Sequence, residues 1–378
     1  MQAKKKYLLL YLKTGGGHLA PAKSIAKIIE HDPSANIEPV LIDGFEKTKK
    51  IIRFIIEDGY RNLQAKARWF YEALYAVNKV NLFAQINSSL ISHFVKPYLR
   101  EVFRAQQPEK IVIFHFFLIE PVYEVLRELK MNVKVITVVT DPYTAHPLWF
   151  LNKNQNFIVF SERLKYRCLR RGINEADITV FPFILNDKFS QKMPDEKIPE
   201  LKREFGYDVN KKVILLLGGG DGIPKGMRIL KILLKRFKNI EVAIVCGKNN
   251  SLLKKANRLK TANKYDNLKV YGYVDFIFEL LNISDIVISK CGASTFLEIL
   301  MMRKIPVIIN YMWEQEKGNV EFLVNNEMGI YEPDVSKLPR LIEGLLEDKS
   351  NYLKYVSNIE KASLTNGAKK VADFIKSF

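Results

Sequence analysis

Cysteine, histidine and acidic residues are scarce in this sequence, and each scarcity removes a class of chemistry. Three cysteines, Cys168, Cys246 and Cys291, sit at spacings that suit neither a disulfide framework nor a zinc site, which points to a reducing, intracellular compartment. Five histidines are too scattered for a metal centre. No Gly-x-x-x-x-Gly-Lys-Ser/Thr loop occurs, which excludes a P-loop NTPase. Long apolar runs are missing too. Residues 111–120, 134–140 and 213–217 fall far short of the roughly 20 residues that span a bilayer, and they read as buried parallel strands. The basic start leads into a short apolar run and a Gly-rich turn without a cleavage site, so it reads as a first strand and not a signal peptide. Low-complexity segments and short-period repeats are absent.

Acids are few against 59 Lys plus Arg: 41 Asp plus Glu leave a net charge of +18. That excess favours a polyanionic partner, either nucleic acid or an anionic membrane surface. A thermophile-type lysine enrichment is the plainer reading, but it usually raises Glu as well. What is present is otherwise ordinary for a globular protein, with 48% hydrophobic and 26% charged residues. The 378 residues give room for two domains.

Apolar strands alternate with amphipathic helices from end to end, the pattern of α/β layering on parallel sheets. Strands are expected at 6–13, 37–43, 111–117, 133–140 and 155–161, with a helix at 20–31 and a long helical region at 59–104. The Pro-containing, mixed-charge stretch 181–208 reads as connecting chain. Domain boundaries follow: 1–185, a linker at 186–208, 209–362, and a last helix within 363–378. The second domain restarts the logic with strands at 212–217, 241–246, 268–271, 286–289, 305–310 and 329–331.

The richest stretch runs from Lys290 to Asn319. The small-residue turn Cys291-Gly292-Ala293-Ser294-Thr295 follows a strand and opens a helix, where free N–H groups and the dipole suit a phosphate. Glu298 lies one turn in, placed either for ribose hydroxyls or as a capping-box acid. Gln315, Glu316 and Asn319 follow the next strand, either reading sugar hydroxyls or simply solvated. Together they describe a nucleotide-sugar pocket. A second turn, Gly218-Gly219-Gly220-Asp221-Gly222, should converge on the same diphosphate.

In the first domain, Thr14-Gly15-Gly16-Gly17-His18 joins the first strand to the first helix, at the edge where α/β proteins bind ligands. His18 is either a general base or a helix-end cap. Gly15-x-Gly17-x-x-Ala20 with Asp43 meets the loose dinucleotide fingerprint, a weak match. Asp141 and His146 end another strand; Asp141 either orients His18, contacts an acceptor, or forms a turn before Pro142. Two basic, aromatic regions could face a membrane. One spans Lys66, Arg68, Trp69, Phe70, Tyr71, Tyr75, Lys79 and Phe83. The other holds Arg163, Lys165, Tyr166, Arg167, Arg170 and Arg171. Solvated bases over core aromatics are the alternative for each.

These motifs in this order resemble glycosyltransferase family 28, which includes monogalactosyldiacylglycerol synthases, processive diacylglycerol glucosyltransferases and the peptidoglycan-precursor N-acetylglucosaminyltransferase. The matching segments are Gly15–His18 with Pro21-Ala22, Thr140-Asp141 with His146-Pro147 and Trp149, and Gly218–Gly220. They continue through Gly272–Asp275, Ser284–Lys290, Gly292–Thr295 with Glu298, and Gln315–Asn319. The chain departs at Cys291-Gly292-Ala293-Ser294, where the glycolipid enzymes usually carry Pro-Gly-Gly-Leu, and at Asp141-Pro142-Tyr143, where they commonly carry Asp-Phe. The resemblance implies a GT-B fold, two Rossmann-like α/β domains with parallel sheets facing a central cleft. It also implies an inverting transfer from a UDP-sugar to a lipid acceptor such as diacylglycerol, on the inner face of the cell membrane by a cytoplasmic, peripheral protein. Val274 would meet the uracil and Glu298 the ribose. Gly219, Gly220, Gly292, Ala293, Ser294 and Thr295 would surround the diphosphate, and Gln315, Glu316 and Asn319 would read the sugar. His18 would act as base with Asp141, and Gly16, Gly17 and His146 would line the acceptor side. No metal or other cofactor is implied, and no Asp-x-Asp pair occurs; nucleic acid is not an expected partner. A peptidoglycan-precursor-type transferase and a nucleotide-sugar 2-epimerase are the alternatives within this architecture.

Overall fold

The computed structural model describes residues 4–13, 16–47 and 81–378, with side chains from residue 91 in the last stretch. Expectations on 59–80, including the segment from Lys66 to Lys79, and on Thr14, Gly15 and the Phe83 side chain lie outside the described residues. The chain divides into two units, Met1–Asp187 with Trp313–Gln315 and Asn366–Phe378, and Lys188–Met312 with Glu316–Thr365.

The first unit holds six parallel strands: β1 (Lys5–Tyr11), β2 (Ile37–Asp43), β3 (Lys110–Ile113), β4 (Lys134–Val138), β5 (Asn156–Val159) and β6 (Ile178–Val180). Their order is β2-β1-β3-β4-β5-β6. From Tyr7 onward β1 is buried on both faces, as a central parallel strand covered by helices must be. The covering helices are α1 (Gly16–Glu30), α2 (Asn81–Gln106), α3 (Ile119–Leu129) and α4 (Glu162–Arg170). In α3 the residues Ile119, Val122, Val125 and Leu126 make one buried stripe. Leu8, Leu10, Ile111, Ile113, Val122 and Phe157 share the resulting core.

Three local differences from expectation have physical causes. The first helix starts at Gly16, not residue 20, so Gly16 and Gly17 form its first turn. The strand expected to reach 117 stops at Ile113, because the His115 side chain accepts from the Phe117 N–H and caps a 3-10 turn at Phe116–Leu118. The 186–208 stretch contains α5 (Ile198–Glu204); Pro199 sits in its first turn, where a missing N–H costs nothing. This segment packs into the second unit, where the Met193 N–H donates to Asn282 Oδ1.

The second unit also holds six parallel strands: β7 (Lys212–Leu217), β8 (Ile240–Val245), β9 (Leu268–Tyr271), β10 (Ile286–Lys290), β11 (Ile305–Asn310) and β12 (Ile330–Tyr331). Their order is β12-β11-β10-β7-β8-β9, the doubly wound arrangement that switches direction between β7 and β10. Its helices are α6 (Gly226–Arg236), α7 (Asn250–Asn263), α8 (Ile277–Ile283), α9 (Ala293–Met301), α10 (Trp313–Asn325), α11 (Leu338–Glu347) and α12 (Lys349–Lys361). Among the described residues no helix is long and apolar enough to cross a membrane.

The last helix, α13 (Ala368–Ser377), belongs to the first unit. Buried Lys110 donates to the Ile375 carbonyl at its C-terminal end, and Lys134 to the Phe378 carbonyl. Those bonds satisfy carbonyls that a helix end leaves open, with positive charge at the negative end of the dipole. Lys376 pairs with Asp32 at 2.6 Å. At the entry to α13, a Cβ on Gly367 would run into the Pro182 carbonyl. Gly367→Ala should therefore lower stability by about 1–3 kcal/mol, as overpacking does; urea unfolding checks this, and an unchanged midpoint would contradict the packing.

Candidate active site

In the first unit the carboxyl ends of β1, β3 and β4 lie side by side, at the point where the strand order switches between β1 and β3. His18 stands in the first turns of α1, its ring centroid 4.3 Å from that of His115 and 6.4 Å from that of Trp149. Its Nδ1 lies 2.9 Å from the Phe114 carbonyl oxygen and 2.7 Å from Thr140 Oγ1. A carbonyl oxygen only accepts, so the proton sits on Nδ1 and Nε2 carries the lone pair. Burial lowers the ring's pKa to about 4, partly offset by the bond to Phe114. His18 is thus a neutral imidazole with its basic nitrogen set by the backbone. Neither Phe114 nor Thr140 was expected in that role; a carbonyl orienter has no side-chain signature.

Asp141 is not what holds the imidazole. Its Oδ2 accepts from Trp149 Nε1 at 2.9 Å, and its Oδ1 from Gln315 Nε2 at 2.9 Å. Gln315, with Trp313 and Glu314, groups with the first unit. His146 is buried, its Nδ1 accepting from the Leu148 N–H and its ring stacked on Phe116 at 4.9 Å. A Cβ at Gly16 or Gly17 would meet no described residue within 4 Å. Asp43 is bound to Lys13 and the Phe45 N–H, not held out for a ribose.

In the second unit β7 and β10 pair directly, Ile214 with Ile286 through Leu217 with Ser289. The turns that follow them are therefore neighbours. A cleft of about 170 Å³ lies there, lined by Gly219, Gly220, Tyr273, Val274, Thr295 and Glu298 among others. Gly247 adopts φ +57°, and a Cβ there would strike the Gly220 carbonyl, so the loop after β8 closes against the glycine turn. Gly292 precedes α9 with no side-chain cap, leaving the helix N-terminus open to a ligand. Ser294 Oγ is buried there without a hydrogen bond among the described residues.

The Glu298 carboxyl makes no hydrogen bond with a described residue, so the capping-box reading falls away. Its half-buried carboxyl lines the cleft, and burial raises its pKa to about 7. Glu316 instead turns back on its own helix, accepting from the Met312 N–H at 2.5 Å, and Asn319 donates to the Cys291 carbonyl at 3.1 Å. Asn319 thus holds the Cys291–Thr295 turn, and the Oε1 of Glu316 lies near it, 3.7 Å from where a Gly292 Cβ would stand. A larger cavity in this unit, about 450 Å³, is bounded by residues 190–195 and the ends of α9 and α12. It lies away from the strand carboxyl ends, and its cations Lys192 and Arg303 are paired with Asp195 and Glu360.

Two parallel α/β units, each with its chemistry at the carboxyl edge of its sheet, make this a GT-B protein. The MGDG synthase family model matches residues 18–182, and the glycosyltransferase family 28 C-terminal domain model matches residues 213–377. The chain belongs to glycosyltransferase family 28. It is 26% identical over 373 residues to a probable monogalactosyldiacylglycerol synthase of Nicotiana tabacum, covering 93% of this chain and 66% of that protein. It is 23% identical to the processive diacylglycerol beta-glucosyltransferase of Bacillus subtilis, covering 99% of this chain and 96% of that one. Anabaena HepE in complex with UDP-glucose superposes with TM-score 0.60 at 14% identity, covering 98% of each chain. The chain thus spans about two thirds of the plant relative's length and nearly all of the bacterial one.

Three histidines of the first unit, His18, His115 and His146, are held neutral by burial, with pKa values of about 4, well below normal, and about 3. Unfolding exposes them to ordinary values near 6.5, so between about pH 6.5 and 4 the unfolded chain binds more protons and stability falls as pH falls. Denaturation midpoints measured from pH 7 to 4.5 should drop, and His18→Gln should flatten the slope. A slope unaltered by the substitution would contradict the burial of that imidazole.

Proposed function

We propose that this chain is an inverting glycosyltransferase moving a hexose from a UDP-sugar to the hydroxyl of a lipid, diacylglycerol, at an anionic membrane surface. The observation that carries the reading is His18, a neutral imidazole with its proton fixed on Nδ1 and Nε2 without a protein partner among the described residues. In the proposed step the acceptor hydroxyl gives its proton to Nε2 while its oxygen attacks the anomeric carbon. The bond from that carbon to the β-phosphate oxygen breaks, and its electron pair leaves with UDP. One displacement inverts the anomeric centre. A positioned base of this kind contributes about 10²–10⁴-fold.

The second unit suits the donor. Val274 faces the uracil, Glu298 takes ribose hydroxyls, and Gly219, Gly220, Gly292, Ala293, Ser294 and Thr295 surround the diphosphate with backbone donors aimed where charge develops. Asn319 supports that turn, Glu316 lies beside it, and Gln315 donates to Asp141. The names of the relatives favour diacylglycerol over a peptidoglycan precursor, and a match to the MGDG synthase model in the acceptor half disfavours the epimerase reading. The basic surface includes α4, where Tyr166 is 61% exposed beside Arg163, Arg167 and Arg170. Such a face suits anionic lipid.

The test is turnover. The full chain is incubated with UDP-glucose, UDP-galactose or UDP-N-acetylglucosamine and diacylglycerol, in zwitterionic micelles with increasing anionic lipid, while UDP and glycolipid are followed by mass spectrometry. A β-glycosylated lipid whose formation rises with the anionic fraction is expected. Epimerisation of the donor without a glycolipid, or no reaction with any UDP-sugar, would overturn the reading.

A further inference from the structure

The cleft lined by Gly219, Thr295 and Glu298 is short of positive charge for a ligand carrying two phosphates. One cation, Lys248, stands by Tyr273, its ammonium 5.7 Å from that ring's centroid. One further lysine stands at the cleft's edge. Lys290 ends β10, where the pairing with β11 slips register: Ser289 faces Ile308, and Lys290 faces Asn310. A slip of this kind re-aims the side chain that follows it. The Cε of Lys290 lies 3.7 Å from the point where a Cβ on Gly219 would stand, and Thr295 Oγ1 lies 4.0 Å from the same point. Lys290, Gly219 and Thr295 therefore surround one spot, bordering the cleft and next to the uncapped start of α9.

The Lys290 ammonium makes no hydrogen bond or ion pair with any described residue. Glu316 feels it: burial raises the pKa of that carboxyl and Lys290 pulls it partly back. Glu316 spends its carboxylate on the Met312 N–H instead. A half-buried lysine with no bonded partner, between two turns that suit phosphate, points to an anionic ligand group.

We infer that Lys290 binds the terminal phosphate of the nucleoside diphosphate and holds it as the sugar leaves, a role that rests on the donor reading above. The electron pair of the breaking bond collects on an oxygen of that phosphate, and the fixed ammonium stands where the charge develops. Lys290 keeps its proton throughout; the acceptor's proton goes to His18. The nucleoside is held in the cleft, while the α-phosphate falls to the N–H groups that open α9.

Calorimetric titration of the full chain with uridine, UMP and UDP separates these parts. The wild type should bind UDP tighter than UMP. Lys290→Met should remove about 10- to 100-fold of UDP affinity, the scale of one charge-assisted hydrogen bond. Its uridine and UMP affinities should stay unchanged, which also shows that the variant folds. Lys290→Arg should keep most of the gain. A UDP-over-UMP preference that survives in Lys290→Met would overturn the assignment of Lys290 alone. A wild type that binds none of the three would overturn the donor reading and this role with it.

Discussion

The register that pairs Ile214 with Ile286 and Leu217 with Ser289 decides where the chemistry of the second unit falls. Parallel strands deliver their following turns to one edge of the sheet, and at the switch point no crossover helix covers them. Two turns far apart in sequence become neighbours for that reason, with Gly219 beside Lys290 and Thr295. The same rule in the first unit brings the ends of β1, β3 and β4 together, so that His18 meets the Phe114 carbonyl and Thr140. Little side-chain bulk is needed at either place once the sheets are formed.

Burial then sets the proton states. His18 is kept neutral, and the Glu298 carboxyl is raised to about 7 with no protein partner among the described residues. His18 recovers part of that cost through its bond to the Phe114 carbonyl, whereas the Glu298 carboxyl has no such return, and perturbed groups of this kind cluster at functional sites. Glu316 and Asn319 are the contrast, since Glu316 accepts from the Met312 N–H and the Asn319 amide donates to the Cys291 carbonyl. Lys110 and Lys134 do comparable structural work at the end of α13.

Much of this was legible in the sequence. Strands 37–43, 212–217, 268–271 and 305–310 fall where apolar runs bounded by turn residues put them. The grouping of Gly219, Gly220, Val274, Thr295 and Glu298 in one cleft follows from strand order, which the alternation of elements implied. What was illegible depends on backbone atoms or tertiary contacts. The Phe114 carbonyl has no residue-type signal, and neither does the capping by His115 that ends β3 early. Prolines 194 and 199 read as linker, yet Pro199 opens a helix, because the same fixed φ serves both. Gln315 and Glu316 share one stretch of polar sequence, but one contacts Asp141 and the other its own helix start.

The central claim is that His18 serves the chemical step while the second unit alone holds the donor. It is tested most directly by measuring UDP affinity and glycolipid turnover together for His18→Ala. The account predicts UDP affinity within about twofold of wild type and turnover reduced by about 10²-fold or more, the contribution of a positioned base. Turnover near the wild-type rate, or a loss of UDP affinity that matches the loss of turnover, would contradict it.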